Sequence, residues 1–514
     1  MMKLKNGLIM TMLSVLSLSL ILAGCGKEEE ANSSVSPTVE SSAKPTESAK
    51  PTLEPYALKM FVPGSSAPKD QDLVNQEISK YLKDKINATF ELTVIDWGSW
   101  KDKMNLKFAS NEPFDLMYTV NWDSYSTKIQ QGNIIPLNDL IDKLAPEAKK
   151  QLNPALLEGG KFNGQNYGFP VNKEIASQYG VMLRKDLVDK YAIDIKKIKT
   201  LEDLEPFYDM IKEKEPGVTP LVMNKSSTVM NRYYYPNYFE AVGDAFGTVK
   251  RNSTDTKVVN MLETPEYKSG LDLARKWYLA GYVNKDAATL QDMGGSLKSG
   301  KAFSFLEQLK PGKDAEVSQS SGIQWVQVEL TKPIIATTDT TGSMTSISRT
   351  SKNPERAMMF LNLLHTDKYL VNLISFGIEG KHFVKKSDNL IDFAPGIDAS
   401  TSGYNLNQAW LFGNQFNNYL WASENPNKWD NFKKFNDSAE TSKVLGFIFD
   451  TANVKSEVAQ AGNVSNEFSP GLDTGSVDPD EVLPKFIAKA KASGSDKIIA
   501  EKQKQLDEFM KSKK

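Results

Sequence analysis

"GGKFNGQNYGFP", residues 159–170, is the stretch that divides this chain. Its glycines and asparagines suit turns better than a helix or a long strand, and it closes on a proline. On either side the apolar residues fall into regular patterns. Upstream, "ALKMFV" (57–62), "TFELTVI" (89–95) and "FDLMYTV" (114–120) read as buried strands. Between the first two, Val74, Ile78, Tyr81, Leu82 and Ile86 recur at helical spacing, and Trp100 to Ala109 forms a second helix. Strand-helix-strand order with short links predicts parallel pairing through right-handed crossovers. In such sheets ligands sit beyond the carboxyl ends of strands, here the loops starting at Pro63, Asp96 and Asn121.

Downstream lies a second α/β block, with helices over Glu202 to Glu213 and Thr264 to Ala280 and short strands at "PLVMN" (220–224) and "AFSFL" (302–306). "ATTDTTGSMTSIS" (336–348) is polar and β-prone. Asn353 and Pro354 then take N-cap and N1 positions for a helix whose apolar residues are Ala357, Met358, Phe360, Leu361 and Leu364. The two Gly- and Thr-rich stretches, 159–170 and 336–348, are expected to be chain crossings at a hinge between two lobes. The last third is rich in rings interleaved with asparagine ("WLFGNQFNNYLW"), and "DKIIAEKQKQLDEFM" (496–510) is a charged amphipathic helix expected to pack on a lobe.

The N-terminus has a different logic. Lys3 and Lys5 precede an uncharged run from Leu8 to Leu22, the layout of a secretory signal, and the run is shorter than the roughly 20 residues a spanning helix needs. Leu22, Ala23, Gly24 and Cys25 read as a lipobox, the site where a bacterial lipoprotein is cut and its new terminal cysteine acylated. Cys25 is the sole cysteine, so this reading competes with a buried thiol, a catalytic thiolate and an ordinary signal or anchor helix, and it leaves none for a disulfide. Residues 25–55 are then a lipidated cysteine and a tether of Ser, Pro, Thr, Glu, Lys and Ala, too poor in apolar surface to fold.

Composition excludes more than it selects. With 62 basic and 64 acidic residues the net charge is -2, against the basic face a nucleic-acid partner needs. His365 and His382 are the two histidines, and neither has a metal-ligand partner at useful spacing. Gly295, Gly300 and Lys301 mimic a phosphate loop, but Ala302 replaces the hydroxyl residue and a strand follows where a helix should. "DPDE" (478–481) lacks the alternating ligands of a calcium loop. Paired carboxylates for glycoside hydrolysis stay open, because their diagnostic separation is spatial. The positive signal is aromatic rings beside planar polar groups, in "NRYYYPNYFE" (231–240) and "TVNWDSYS" (119–126). Flat rings cover the apolar faces of a pyranose while Asp, Asn, Gln, Glu and Arg take its hydroxyls. Core packing of the same rings is the competing reading.

Several segments in fixed order resemble the family 1 extracellular solute-binding proteins, the lipid-anchored receptors of carbohydrate ABC importers. "FASNEPFDLMY" (108–118) resembles the segment before the first cleft loop, "GQNYGFPVNKEIASQYGVMLRKDLVDKY" (164–191) the lobe crossing, and "SGKAFSFLEQ" (299–308) the strand entering the cleft. "SISRTSKNPERAMMFLNLLHTD" (346–367) resembles the return crossing, and "FGIEGKHF", "FGNQFNNYLW", "SPGLDTGSVDPDEVLPKF" and "QKQLDEF" a subgroup with a C-terminal domain of unknown function. The resemblance implies an α/β, two-lobed, periplasmic-binding-protein-like fold of type 2. Its expected parts are a signal peptide (1–24), lobe 1 (56–168 plus about 336–400) and lobe 2 with a C-terminal segment (169–335 plus about 401–514). Carried over by position, the ligand contacts are Ser65, Trp97, Trp122 and Asp123 from the first lobe, then Arg232, Tyr235, Glu307 and Gln308 from the second, with Trp410 and Glu379. The implied function is non-enzymatic capture of an oligosaccharide by a monomer, without cofactor or metal, at the extracellular face of the cell membrane, and delivery to permease subunits on other chains. A peptide or amino-acid receptor of the same fold, whose cleft would be governed by fixed charges, and a surface glycosidase are the alternatives.

Overall fold

The computed structural model describes residues 53–513 except Ser124, Ser400 and Asn407. The expected signal peptide, Cys25 and nearly all of the tether lie outside the described residues. The first lobe is built on a sheet in the order Ala88–Asp96, Tyr56–Gly64, Leu116–Thr119, Met344–Ile347 and Phe169–Pro170. Its first three strands pair in parallel, as strand-helix-strand order requires, and the two later arrivals add antiparallel edges. Leu58, Met60, Phe61 and Val62 are buried in succession because helices cover both sheet faces. One cover is Gln71–Ile86, which turns Val74, Ile78, Leu82 and Ile86 inward and ends where Asn87 adopts a left-handed φ of 45°. Another is Pro354–Thr366, whose Asn353 side chain accepts the Arg356 N–H as a cap.

The second lobe has a four-stranded sheet in the order Trp325–Glu329, Gln178–Arg184, Ala302–Leu309 and Thr219–Leu221. Its core joins Val181, Leu183, Tyr208, Trp277, Phe303 and Leu306 to residues of the C-terminal helices Lys455–Asp473, Pro479–Ala492 and Ser495–Ser512. The expected terminal helix is therefore part of this lobe, contributing Ile498 and Leu506 to its core.

Crossings are expected at 159–170 and 336–348. Residues 159–170 stay with the first lobe, as a hairpin of Lys161–Phe162 and Gln165–Asn166 followed by Phe169–Pro170. The passage to the second lobe is the next segment, 171–177. The return runs from strand Ile334–Ile335 through a helical turn, Thr337–Thr340, into Met344–Ile347 of the first sheet. Residues past 400 do not leave at once: Tyr404, Leu411 and Phe412 belong to the first core, and Leu420–Trp421 pairs with Leu390–Phe393. A third crossing follows, in which Glu440–Thr441 pairs with Ile334–Ile335. Helix Lys428–Ser438 holds this junction through Asn436, which accepts the N–H groups of Ile175 (2.8 Å) and Ala176 (3.2 Å) and donates to Lys173 O (3.1 Å).

Candidate functional site

A recess of about 410 Å³ lies where lobes and crossings meet, lined by Asn121 and Trp122 of the first lobe, Lys173 to Ala176 and Thr338 to Asp339 of the crossings, and Tyr179 and Glu307 to Lys310 of the second lobe. Its first wall follows from the turn Asn121–Asp123, which closes strand Leu116–Thr119. Asn121 is tied to the second crossing, its N–H to Thr341 O (3.0 Å) and its amide to Thr338 O (2.5 Å). Asp123 turns inward, accepting the Trp100 indole N–H (2.8 Å) and pairing with the buried Lys128 (2.9 Å). With both neighbours anchored, Trp122 projects and is 63% exposed.

Trp122 heads a row of rings. Its centroid is 6.1 Å from Trp97, Trp97 lies 6.2 Å from Trp410 at an interplanar angle of 13°, and Trp410 meets Tyr118 edge-on at 6.0 Å. The row is braced from behind: Trp97 N–H donates to Gly64 O, Ser343 donates to Trp410 O, and the Gln408 amide, turned to match donors with acceptors, takes the Trp97 indole N–H and donates to Pro63 O, both at 3.2 Å. Ser65 is exposed one residue beyond Gly64.

The opposite wall is polar. Strand Ala302–Leu309 delivers Glu307, half-buried, and Gln308, exposed, to the rim. Behind them Lys310 reaches Glu174 (3.5 Å) and Glu316 (3.1 Å). Burial alone would raise the Glu174 carboxyl, yet Lys173 and Lys310 hold it down at about 2, so it is a fixed anion. Asp339 behaves oppositely: burial pushes it up to about 6 despite the Ala336 N–H it accepts. Tyr179 is raised to about 12 by burial, with Asp339 adding to the shift and Arg232 and Arg251 opposing it.

Of the ten contacts expected from sequence, Trp122, Glu307 and Gln308 line the recess, and Trp97 and Trp410 extend its aromatic wall. Arg232 and Tyr235 are half-buried and do not line the recess; Arg232 acts on Tyr179, and Tyr179 acts on Tyr235, through charge. Arg232 lies on the π-helical turn Met230–Tyr234, and its Nε is buried without a partner among the described residues. Asp123 is brought to the site by sequence but spends its carboxylate internally. Glu379 is exposed on a turn of the first lobe, paired with Lys385 at 2.9 Å, and does not line the recess. Sequence reasoning missed Glu174, Tyr179, Lys310 and Asp339. Glu174 and Asp339 had a signal, a charged side chain inside the crossing segments at "KEIASQY" and "ATTDTT"; Tyr179 follows the first crossing and Lys310 follows strand Ala302–Leu309.

Among the described residues no group of three or more His, Cys, Asp or Glu could hold a metal ion. His365 is buried with its ring between Leu361 O and Pro170 O, and burial lowers its pKa. His382 bonds Ile378 N–H and Asp70. Among the described residues no helix is long and apolar enough to cross a membrane.

The family model described as "Bacterial extracellular solute-binding protein" matches residues 64–370, and a domain of unknown function (DUF3502) matches 443–511. A curated relative from Streptococcus pneumoniae serotype 4, named "Carbohydrate ABC transporter substrate-binding protein", is 32% identical over 98% of each chain. Among solved structures, the N-glycan transport solute binding protein (NgtS) from Streptococcus pneumoniae superposes with a TM-score of 0.80 at 31% identity, covering 90% of this chain and 100% of that one. The same protein in complex with Man1GlcNAc scores 0.72 at 30% identity over 89% of this chain and 100% of that one. In complex with Man5GlcNAc it scores 0.70 at 31% identity over 90% and 100%.

Proposed function

The chain belongs to the bacterial extracellular solute-binding protein family, and we propose that it is the capture component of an ABC importer, taking an oligosaccharide between its lobes and releasing it unchanged to a permease. The observation that carries this reading is the pairing of walls: a braced row of Trp122, Trp97 and Trp410 on one side, and Glu307, Gln308 and Lys310 on the other. Rings take the apolar faces of pyranoses, and the polar rim takes their hydroxyls. Three of the charges in the recess are spent on one another, Glu174 with Lys173 and Lys310, and the aromatic wall opposite them favours a sugar over a peptide with charged termini. The N-glycan relative and its mannose-containing complexes support the same class of ligand.

In this reading Trp97, Trp122 and Trp410 are the stacking residues. Ser65, Glu307, Gln308, Arg232 and Tyr235 are hydroxyl partners, with Tyr179 and Asp339 added, while Asp123 holds the first wall in place and Glu379 has no part. Cys25 is the lipid attachment point that keeps a monomeric receptor at the outer face of the membrane. A thermal-shift screen of the whole chain against mannose-containing, plant and microbial oligosaccharides tests it, since a ligand at 100 times its Kd adds about 2.7 kcal/mol. Saturable stabilisation with the glycan recovered intact is the expected result. Turnover of the glycan, or stabilisation only by peptides, would overturn the reading.

A further inference from the structure

A second concavity, of about 670 Å³, lies wholly within the second lobe and shares no residue with the interlobe recess. One wall is a single face of helix Pro265–Leu279, where Ser269, Asp272 and Lys276 recur at i, i+3 and i+7. The other is formed by Tyr234 and Tyr238, rings 5.6 Å apart and tilted by 31°. The Tyr234 ring is fixed by a close approach: a Cβ on Gly270 would come within 2.4 Å of Met230 Sδ and 2.8 Å of Tyr234 Cγ, so only glycine lets the helix press this tightly. The phenol groups of Tyr234 and Tyr238 make no hydrogen bond with other described residues, and Glu202, exposed at one end, has no ion-pair partner among them.

The remaining charges are already matched. Glu266 pairs with Lys250 (2.7 Å), Asp272 with Lys268 (2.5 Å) and Lys276 with Glu205 (2.7 Å). Of the lining charges only Glu202, at one end, lacks an ion pair among the described residues, so the body of the groove offers little to an anion. It does offer the half-buried ring of Tyr238, backed by the buried Tyr234, with their phenol hydroxyls and carboxylate acceptors, which a polyhydroxylated ring uses all at once. We propose that this groove is a second saccharide-binding site, taking a neutral pyranose or short oligosaccharide independently of the interlobe cleft. The choice of a sugar as ligand rests on the carbohydrate reading of the cleft. A receptor with such a site holds one branch of a large glycan while the cleft takes another.

Saturation-transfer NMR with millimolar Man5GlcNAc tests it on the whole chain carrying Trp97→Ala and Trp122→Ala, which disable the cleft. Transfer to the sugar should persist in that background and fall roughly tenfold, a binding change of about 1.4 kcal/mol or more, when either Ser269→Arg or Tyr238→Ala is added. Ser269 is exposed, so the arginine fills the groove without entering the core. Absence of transfer in the cleft-disabled chain, or transfer that survives both added substitutions, overturns the proposal. The cleft reading has its own readout, the thermal shift of the chain with both tryptophans intact, which Ser269→Arg should leave unchanged. Failure there with groove transfer retained would sink the cleft and spare the groove.

Discussion

Trp122 is 63% exposed while the adjacent Asp123 is 4% exposed, and their substitutions should separate binding from stability. Trp122→Ala removes a ring that the fold does not use, so it should weaken sugar binding by about 1–2 kcal/mol, roughly tenfold in Kd, with Tm unchanged to within about 1 °C. Asp123→Ala strips the partner from the buried Lys128 and from the Trp100 indole N–H, and breaking such a buried pair costs about 3–5 kcal/mol; a lowered urea midpoint checks it. In sequence the two residues are an indistinguishable pair in "NWD", because which of them faces inward depends on Trp100 and Lys128. A third test concerns Asp473, whose carboxyl is pushed by burial up to about 7, against the Tyr267 hydroxyl that holds it down, and whose Oδ1 is unpartnered. The unfolded chain titrates this group near 3.8, so between those values the folded state binds more protons and stability falls as pH rises. Asp473→Asn should therefore raise Tm at pH 8 more than at pH 5, flattening the pH profile; an equal shift at both would show that the carboxyl ionises freely in the fold.

At the scale of elements one side chain ties two crossings of the junction together. Asn436 alone satisfies the N–H groups of Ile175 and Ala176 and reaches Lys173 O. Asn436→Ala leaves these backbone groups without partners, and each buried group so orphaned costs about 1–3 kcal/mol. Limited proteolysis should then cut within 171–177 faster than in the parent chain, while cleavage elsewhere is unchanged. The first-lobe strands were legible because alternation and helical spacing are local: Ala88–Asp96 and Trp100–Ala109 fall almost where periodicity put them. The two-lobed split was legible from the turn-rich stretches, though the passage itself came just after the first. The third crossing was expected near residue 400, and its actual place after helix Lys428–Ser438 was not legible, since Asn436 acts on residues some 260 positions away and nothing in its own helix marks it. The boundary near residue 400 was misplaced for a similar reason. Tyr404, Leu411 and Phe412 look like the start of a new aromatic block, but they fill the first core, and the composition of a segment does not say which core it completes. The row of cleft rings was legible as residue types, and its continuity was not, because Trp97, Trp122 and Trp410 come from three distant loops.

For the whole molecule the question is how the two walls come together. Three structures of one relative, at 30–31% identity to this chain, superpose with TM-scores of 0.80, 0.72 and 0.70, the two lower values belonging to the complexes with Man1GlcNAc and Man5GlcNAc. The present chain superposes more closely on the structure described without a sugar. A ligand touching both walls gains contacts only when they approach, and it shifts the population toward the closed form by its differential affinity for that form. Moving such an equilibrium from 1:99 to 99:1 needs about 5.5 kcal/mol, within the roughly 8 kcal/mol of a micromolar ligand. Closure and affinity are then one quantity. X-ray scattering of the whole chain with saturating ligand should give a smaller radius of gyration than without it. Trp122→Ala with Glu307→Ala, which removes a contact from each wall, should bind more weakly and, where it is still saturated, compact less. Tight binding with an unchanged scattering profile would mean that the sugar sits on one wall only, and that the crossings are static connections rather than a hinge.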